Sequence, residues 1–382
     1  MRRLFLLLIS LHGALHFLGF AKAFGLAELP QLTVPISRAG GMLWLAAGLL
    51  MLLSGMTLVL APRVWWIVAL AAVILSQVVI VSSWSDAKFG TIANLLILLG
   101  AVYGFASQGP SSVRAQYRRA VAARLETAPT SMPTLTEADL ADLPEPVQRY
   151  LRVTGQIGRP RVHHFGVRWR GRIRSGPDDP WMEFIAEQVN FPDEPARFFA
   201  MHATRTGLPV DVLHVFQDGS ATMRVRLLSL FPLVDARGPE LTRAETVTLL
   251  NDLCLLAPAA LVDAPVRWEP VDEHAVRAHY TLGSTTVSAV LDFNEDGELV
   301  DFVSDDRLAA SADGKELTPL RWSTPVSEYR SFGGRRVSTR GAGLWHPPEG
   351  LYAYIELELT SLETNHQVGN PRSRPSVPSA PS

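Results

Sequence analysis

His12 and His16 stand four residues apart inside an apolar run, so on a helix both imidazoles project from one face. Ionisable side chains in such a run are costly unless they turn inward to partners, which makes them candidates for a site. An inward histidine pair offers three chemistries: a haem or metal contact, a proton relay, or a hydrogen-bonding pocket for a quinone. Two rings one turn apart cannot be opposite axial ligands of one haem, and residues 1–107 hold no third His or Cys for zinc. Hydrogen bonds to backbone, to serines of neighbouring helices or to Asp86 are the plainer reading and the preferred one.

The stretch Trp84-Ser-Asp-Ala-Lys-Phe-Gly-Thr-Ile-Ala-Asn94 is a second constellation. Asp86 and Lys88 lie where an apolar span begins, and Asn94 falls about one and a half turns into it. With Lys22, and with Trp84 at the rim, they are candidates for a pocket that takes a polar head from the outer face. The alternative is a solvated helix start capped by Ser85 or Asp86, which leaves Asn94 unexplained. A third set is apolar: Trp169, Met182, Phe184, Phe199 and Met201 share the inward face of alternating strands, either as plain core or as the wall of a cavity for an apolar ligand.

The first two sets are positioned by four apolar spans, residues 4–20, 42–61, 64–81 and 89–105. At 1.5 Å per residue each matches a hydrocarbon layer of about 30 Å. The opening Met1-Arg2-Arg3 resembles a signal peptide, but the run continues past His16 and three more spans follow. Pro62-Arg63 forces spans two and three to be antiparallel neighbours, and Gly48, Gly55, Gly100 and Gly104 permit close helix contact. A four-helix transmembrane bundle is expected. An amino terminus in the cytoplasm places seven flanking basic residues inside and three outside, so both termini are expected there, in a bacterial inner membrane.

Charge separates the chain into two parts. Of 35 basic and 37 acidic residues, six and two fall within the stretch ending at Ser107, which leaves an acidic surplus of six beyond it. A mildly acidic second part lacks the basic footprint that phosphate backbones require, so no nucleic-acid partner is expected. Cys254 is the single cysteine and can make neither an internal disulfide nor a cysteine-based zinc site. No Gly-x-Ser-x-Gly elbow, phosphate-binding glycine loop or His-Glu-x-x-His helix occurs, so no catalytic residue and no metal site is assigned. His163-His164 and Trp345-His346-Pro-Pro-Glu349 read as a strand start and a turn.

A basic helix over residues 112–126 and a Pro/Thr stretch lead to a short helix at residues 144–153. From there the pattern is period two. In residues 167–174 the Arg side chains 168, 170, 172 and 174 alternate with Val167, Trp169 and Ile173, and Glu356 and Glu358 are the expected partners in a charge ladder. One helix interrupts the strands, with Thr242-Arg-Ala-Glu245 read as its capping box and Pro258 as its stop. The expected fold is therefore a membrane bundle plus a mainly antiparallel β half-barrel with one inserted helix, α+β in class. The expected domains are residues 1–107 (bundle), 108–135 (basic helix and linker), 136–365 (β domain) and 366–382 (disordered tail).

Residues 5–25 with His12 and His16, the Ile36-Ser37-Arg38 entry to the second span, and residues 83–94 resemble an uncharacterised family of bacterial membrane proteins. The four-helix start also resembles DoxX-type membrane subunits, a resemblance that implies a redox or quinone link and brings no catalytic motif. The β half resembles bacterial lipoprotein carriers in architecture alone. Together these lead to the expectation of a non-enzymatic, membrane-anchored protein that binds an apolar or lipid-like ligand, with membrane lipids as partners and no resident cofactor. The alternatives are a redox subunit with quinone or haem at His12 and His16, and a scaffold for a partner protein.

Overall fold

The computed structural model describes residues 2–311 and 316–365. The expected disordered tail, residues 366–382, lies outside them. The chain divides into two compact units, Met1–Gln116 and Tyr117–Ser382. This boundary falls inside the basic helix, after Gln116, whereas the composition shift lies near Ser107.

The first unit contains α1 (Arg2–Ala23), α2 (Arg38–Leu60), α3 (Trp65–Ser82), the single turn α4 (Trp84–Ala87) and α5 (Gly90–Gln108). Helices α1 and α3 each contact both α2 and α5, which closes a four-helix bundle. Gly13 and Gly48 let α1 and α2 approach closely: a Cβ at Gly48 would stand 2.9 Å from the Gly13 carbonyl oxygen. Among the described residues, four helices are long and apolar enough to cross a membrane by length and composition. Their polarity is inverted relative to a water-soluble bundle. On α1 the leucines at 4, 7, 11, 15 and 18 are exposed, while His12, Gly13, His16 and Gly19 are buried.

The second unit opens with α6 (Val113–Leu125), whose first turn precedes the boundary, and α7 (Glu145–Val153). Leu135, assigned above to the linker, is fully buried, and its backbone pairs with Arg159 and Gly158, so the β domain starts before residue 136. Strands β1 (Phe165–Ile173), β2 (Met182–Phe191), β3 (Ala196–Arg205), β4 (Leu208–Gln217), β5 (Ser220–Leu227) and β6 (Phe231–Arg237) follow as a meander. Then come α8 (Pro239–Leu256), β7 (Val266–Pro270), β8 (Ala275–Leu282), β9 (Thr285–Phe293) and β10 (Leu299–Ser304). The last strands are β11 (Leu308–Ala310), β12 (Leu317–Pro319), β13 (Trp322–Ser323), β14 (Val326–Phe332), β15 (Arg335–Trp345) and β16 (Tyr352–Thr364).

All but β11 and β12 join one antiparallel sheet of 14 strands, in the order β6-β5-β4-β3-β2-β1-β16-β15-β13-β10-β9-β8-β7, with β14 paired to β15. Helix α8 touches β5 and β6 near one edge, β9 and β10 near the other, and β15 between them. Strands lie about 4.8 Å apart, so on a flat sheet β5 and β9 would be separated by roughly 40 Å, several helix diameters. The sheet must therefore curl around α8. That helix is buried on nearly every side, as its position requires.

One local expectation needs correction, and two stretches depart from simple alternation. Helix α8 starts at Pro239, not at Thr242, because Gly238 at φ 121° turns the chain and Pro239 is pre-set for the first turn. Thr242 instead lies within the helix, where its hydroxyl donates to the Gly238 carbonyl and accepts from the Ala221 amide. The alternation at residues 320–329 is divided between β13 and β14, separated by Thr324 and Pro325, since proline cannot donate to a ladder. Strand β6 is absent from the alternation pattern, because its Pro232 and exposed apolar side chains obscure the period.

Candidate functional site

The curled sheet and α8 enclose a cavity of about 450 Å³, within the range of small-molecule pockets. Its apolar wall comes from β1 to β4, where period-two alternation turns Trp169, Met182, Phe199 and Met201 inward. Phe184 belongs to the same apolar cluster but does not line the cavity. From α8 come Leu241, Glu245, Thr248, Asp252 and Leu255, one helical face at spacings of three and four.

Polar groups gather at one end of this cavity. Cross-strand register places Asn190 beside Arg197, and Gln188 beside Phe199, itself beside His214. One oxygen of Asp252, on α8, accepts from Gln188 Nε2 at 2.8 Å, Asn190 Nδ2 at 2.9 Å and Arg197 Nε at 2.8 Å. About two turns earlier on the helix, Glu245 Oε1 accepts from Arg307 Nη1 at 2.9 Å. Glu245 Oε2 lies 3.3 Å from His214 Nε2 and 3.7 Å from Arg197 Nη1, without a hydrogen bond to either. Each guanidinium also lies over an aromatic ring, Arg197 over Phe199 and Arg307 over Trp322.

Burial dominates the electrostatics. It drives His214 down to about 4, against the pull of Glu245, so the ring is neutral at pH 7. Burial pushes the Glu245 carboxyl up, but His214, Arg307 and Arg197 outweigh it and leave the group below its ordinary range. With His214 uncharged at neutral pH, the two arginines are what hold Glu245 ionised. Burial raises Asp252 in spite of Arg197 and Asn190. Two guanidinium groups thus face two carboxyl groups.

The first unit holds a different cluster. His16 Nδ1 lies 2.8 Å from the His12 carbonyl, and His16 Nε2 lies 2.9 Å from Ser76 Oγ. His12 Nε2 lies 2.9 Å from Asn94 Oδ1, and Asn94 Nδ2 donates to Gln77 Oε1 at 3.0 Å. His16 has no ring nitrogen left for iron, and His12 has its Nε2 engaged, so the pair does not fit a haem contact. The other candidates do not join them. Asp86 accepts from Thr33 and from the Val34 amide, and Lys22 donates to the Leu32 carbonyl, so both hold the loop between α1 and α2. Lys88 lies over the Phe89 ring, and Trp84 is half exposed. Among the described residues no group of three or more His, Cys, Asp or Glu is placed to hold a metal ion.

On the sheet's outer face the arginine stripe meets glutamates as a ladder: Arg170 pairs with Glu358 and Arg172 with Glu356, each through two hydrogen bonds. Arg174 instead bonds the Ala353 carbonyl and stacks on Trp181.

The residues at the cavity's polar end, Gln188, Arg197, His214, Glu245, Asp252 and Arg307, do not stand out in the sequence. A signal for some of them is present. Gln188, Arg197 and His214 occupy inward positions of strands whose inward residues are mostly apolar, and Glu245 and Asp252 are charged residues seven apart on one face of the helix.

These features define an α+β protein with an apolar four-helix unit and a large antiparallel sheet. The chain belongs to the family of unknown function DUF6544, whose model matches residues 133–357, all within the second unit. No curated protein matches it. Among solved structures it is similar to a putative outer membrane lipoprotein-sorting protein domain from Vibrio parahaemolyticus, at 10% identity and a TM-score of 0.33, over 54% of this chain and 86% of that one. It is also similar to a DUF1329 family protein from Desulfovibrio piger ATCC 29098, at 13% identity and a TM-score of 0.33, over 62% of this chain and 95% of that one. Likeness at this level carries no ligand across.

Proposed function

We propose that this is a membrane-anchored binding protein that holds an apolar or lipid-like ligand between its curved sheet and α8. The observation that carries the reading is the cavity of about 450 Å³ walled by Trp169, Met182, Phe199 and Met201. Anchoring is supported by the inverted polarity of the first unit, with leucines outward and histidines inward. The flanking basic residues favour an inner membrane with both termini in the cytoplasm.

The test uses purified, delipidated full-length protein and the neutral fluorescent probe N-phenyl-1-naphthylamine. Saturable uptake is expected, and Met201→Trp, which fills the cavity, is expected to weaken it at least tenfold. Folded protein that takes up no probe would refute the reading.

A further inference from the structure

We propose that the polar end of the cavity is a head-group site for an uncharged amphiphile carrying both a hydrogen-bond donor and an acceptor, such as a monoacylglycerol. This rests on the lipid-cavity reading and specifies its ligand. Among the described residues, four buried polar atoms on residues that line the cavity have no hydrogen-bond partner: Glu245 Oε2, His214 Nε2, Arg307 Nε and Trp322 Nε1. Glu245 is 1% exposed and Trp322 4%, so bulk water does not satisfy them. A buried polar atom left unpaired is costly, and four together at the end of an apolar cavity call for a complementary group.

The types of these atoms select the head. The Glu245 oxygen accepts only, and the Trp322 and Arg307 nitrogens donate only. A hydroxyl satisfies the first and a carbonyl the second; a glycerol monoester carries both. A free carboxylate offers no donor to Glu245 and brings a like charge to it, while both guanidinium groups already face carboxylates, Arg197 with Asp252 and Arg307 with Glu245. An alkane head satisfies none of the four atoms. The dimensions are also consistent with a single chain. The inward positions of β3 run from Arg197 at the polar end to the exposed Arg205 at the rim, about 26 Å at the strand rise.

The test is displacement of the same naphthylamine probe from full-length protein by monoolein and by oleate, which share one tail. In the wild type, monoolein is expected to displace at a concentration at least tenfold lower than oleate. Trp322→Phe and Glu245→Gln should each shrink that ratio below threefold; the ratio is taken within one variant, so any change in probe affinity cancels from it. Partitioning of the lipids into detergent is the same for all variants, so the change in ratio reports the site. Trp322→Phe keeps the test decisive if Glu245→Gln fails to fold. Equal or tighter displacement by oleate, or a ratio unchanged in Trp322→Phe, would overturn the head-group site. Those outcomes, with the probe still bound, leave the cavity reading standing; a wild type that binds no probe defeats both.

Discussion

Each unit buries histidines among hydrogen-bonding groups, yet the two clusters end differently. In the bundle, the chain from His16 through Ser76, His12, Asn94 and Gln77 to Thr91 passes from partner to partner. In the cavity, Glu245 and His214 stand 3.3 Å apart without sharing a hydrogen bond, and Trp322 and Arg307 keep unpaired nitrogens. A network that satisfies itself can be explained by the packing of helices in an apolar medium. One that leaves atoms unpaired in a cavity needs something else to complete it. The cavity cluster is also the more expensive, since buried ion pairs rarely recover their desolvation cost and a hydrophobic replacement is often at least as stable.

The largest expected effect separates the two clusters by charge. Glu245→Leu leaves Arg307 without its carboxylate partner, and a broken buried pair typically costs about 3–5 kcal/mol. Denaturant unfolding of the full-length protein in detergent, followed by tryptophan fluorescence, measures it. A loss under about 1 kcal/mol would mean that the arginines find solvent or other acceptors, and that the cluster is not the closed ionic centre described.

A smaller effect is the pH dependence of the cavity cluster, carried by His214. Its pKa is lowered to about 4, so between about pH 6.5 and 4 the unfolded chain takes up a proton that the folded protein refuses. Stability supplied by this group is present above pH 6.5 and lost as pH falls, by about 3 kcal/mol across the window. Asp301 runs in the opposite sense. Burial raises it to about 6, so its contribution is present at low pH and lost as pH rises through that value. The contributions of His214 and Asp301 therefore nearly cancel between about pH 6.5 and 4.5. Asp301→Asn, which keeps the oxygen that accepts from the Phe302 amide, should expose a fall in melting temperature with acidification. Adding His214→Gln should reduce that fall; if it persists undiminished, His214 is not its source.

How far the sequence foretold this arrangement depends on the range of the interactions. The helices of the first unit follow from apolar runs, and β9 from the alternation that buries Val287, Ala289, Leu291 and Phe293 ahead of the Gly297 turn, because such patterns are local. The inward placement of Trp169, Met182, Phe199 and Met201 follows from the same period. What spacing cannot supply is the meeting of Arg197 with Asp252, 55 residues on, or of Glu245 with Arg307, 62 residues on. Those contacts depend on the curl of the sheet. Glu245 misleads for a further reason: Thr-x-x-Glu fits a capping box, and only the earlier start at Pro239 shows that the carboxylate faces the cavity.

The smallest effect tests whether the bundle cluster is as self-contained as its distances indicate. A carbonyl can only accept, so His16 Nδ1 must donate to the His12 carbonyl. In a neutral ring, Nε2 is then an acceptor and takes the Ser76 hydroxyl proton. That hydroxyl has no second proton for Asn94 Oδ1, which instead receives one from His12 Nε2. Ser76 is thus the donor that satisfies His16, and Ser76→Ala removes it. Side-chain hydrogen bonds between membrane helices contribute about 0.6 kcal/mol on average and reach about 1.7, so a loss near 1 kcal/mol is expected. Unfolding of the full-length protein by a denaturing detergent, followed by circular dichroism, measures it, with uptake of the naphthylamine probe as the control. A loss matching that of Glu245→Leu, or any change in probe uptake, would show that the bundle cluster does more than hold helices together.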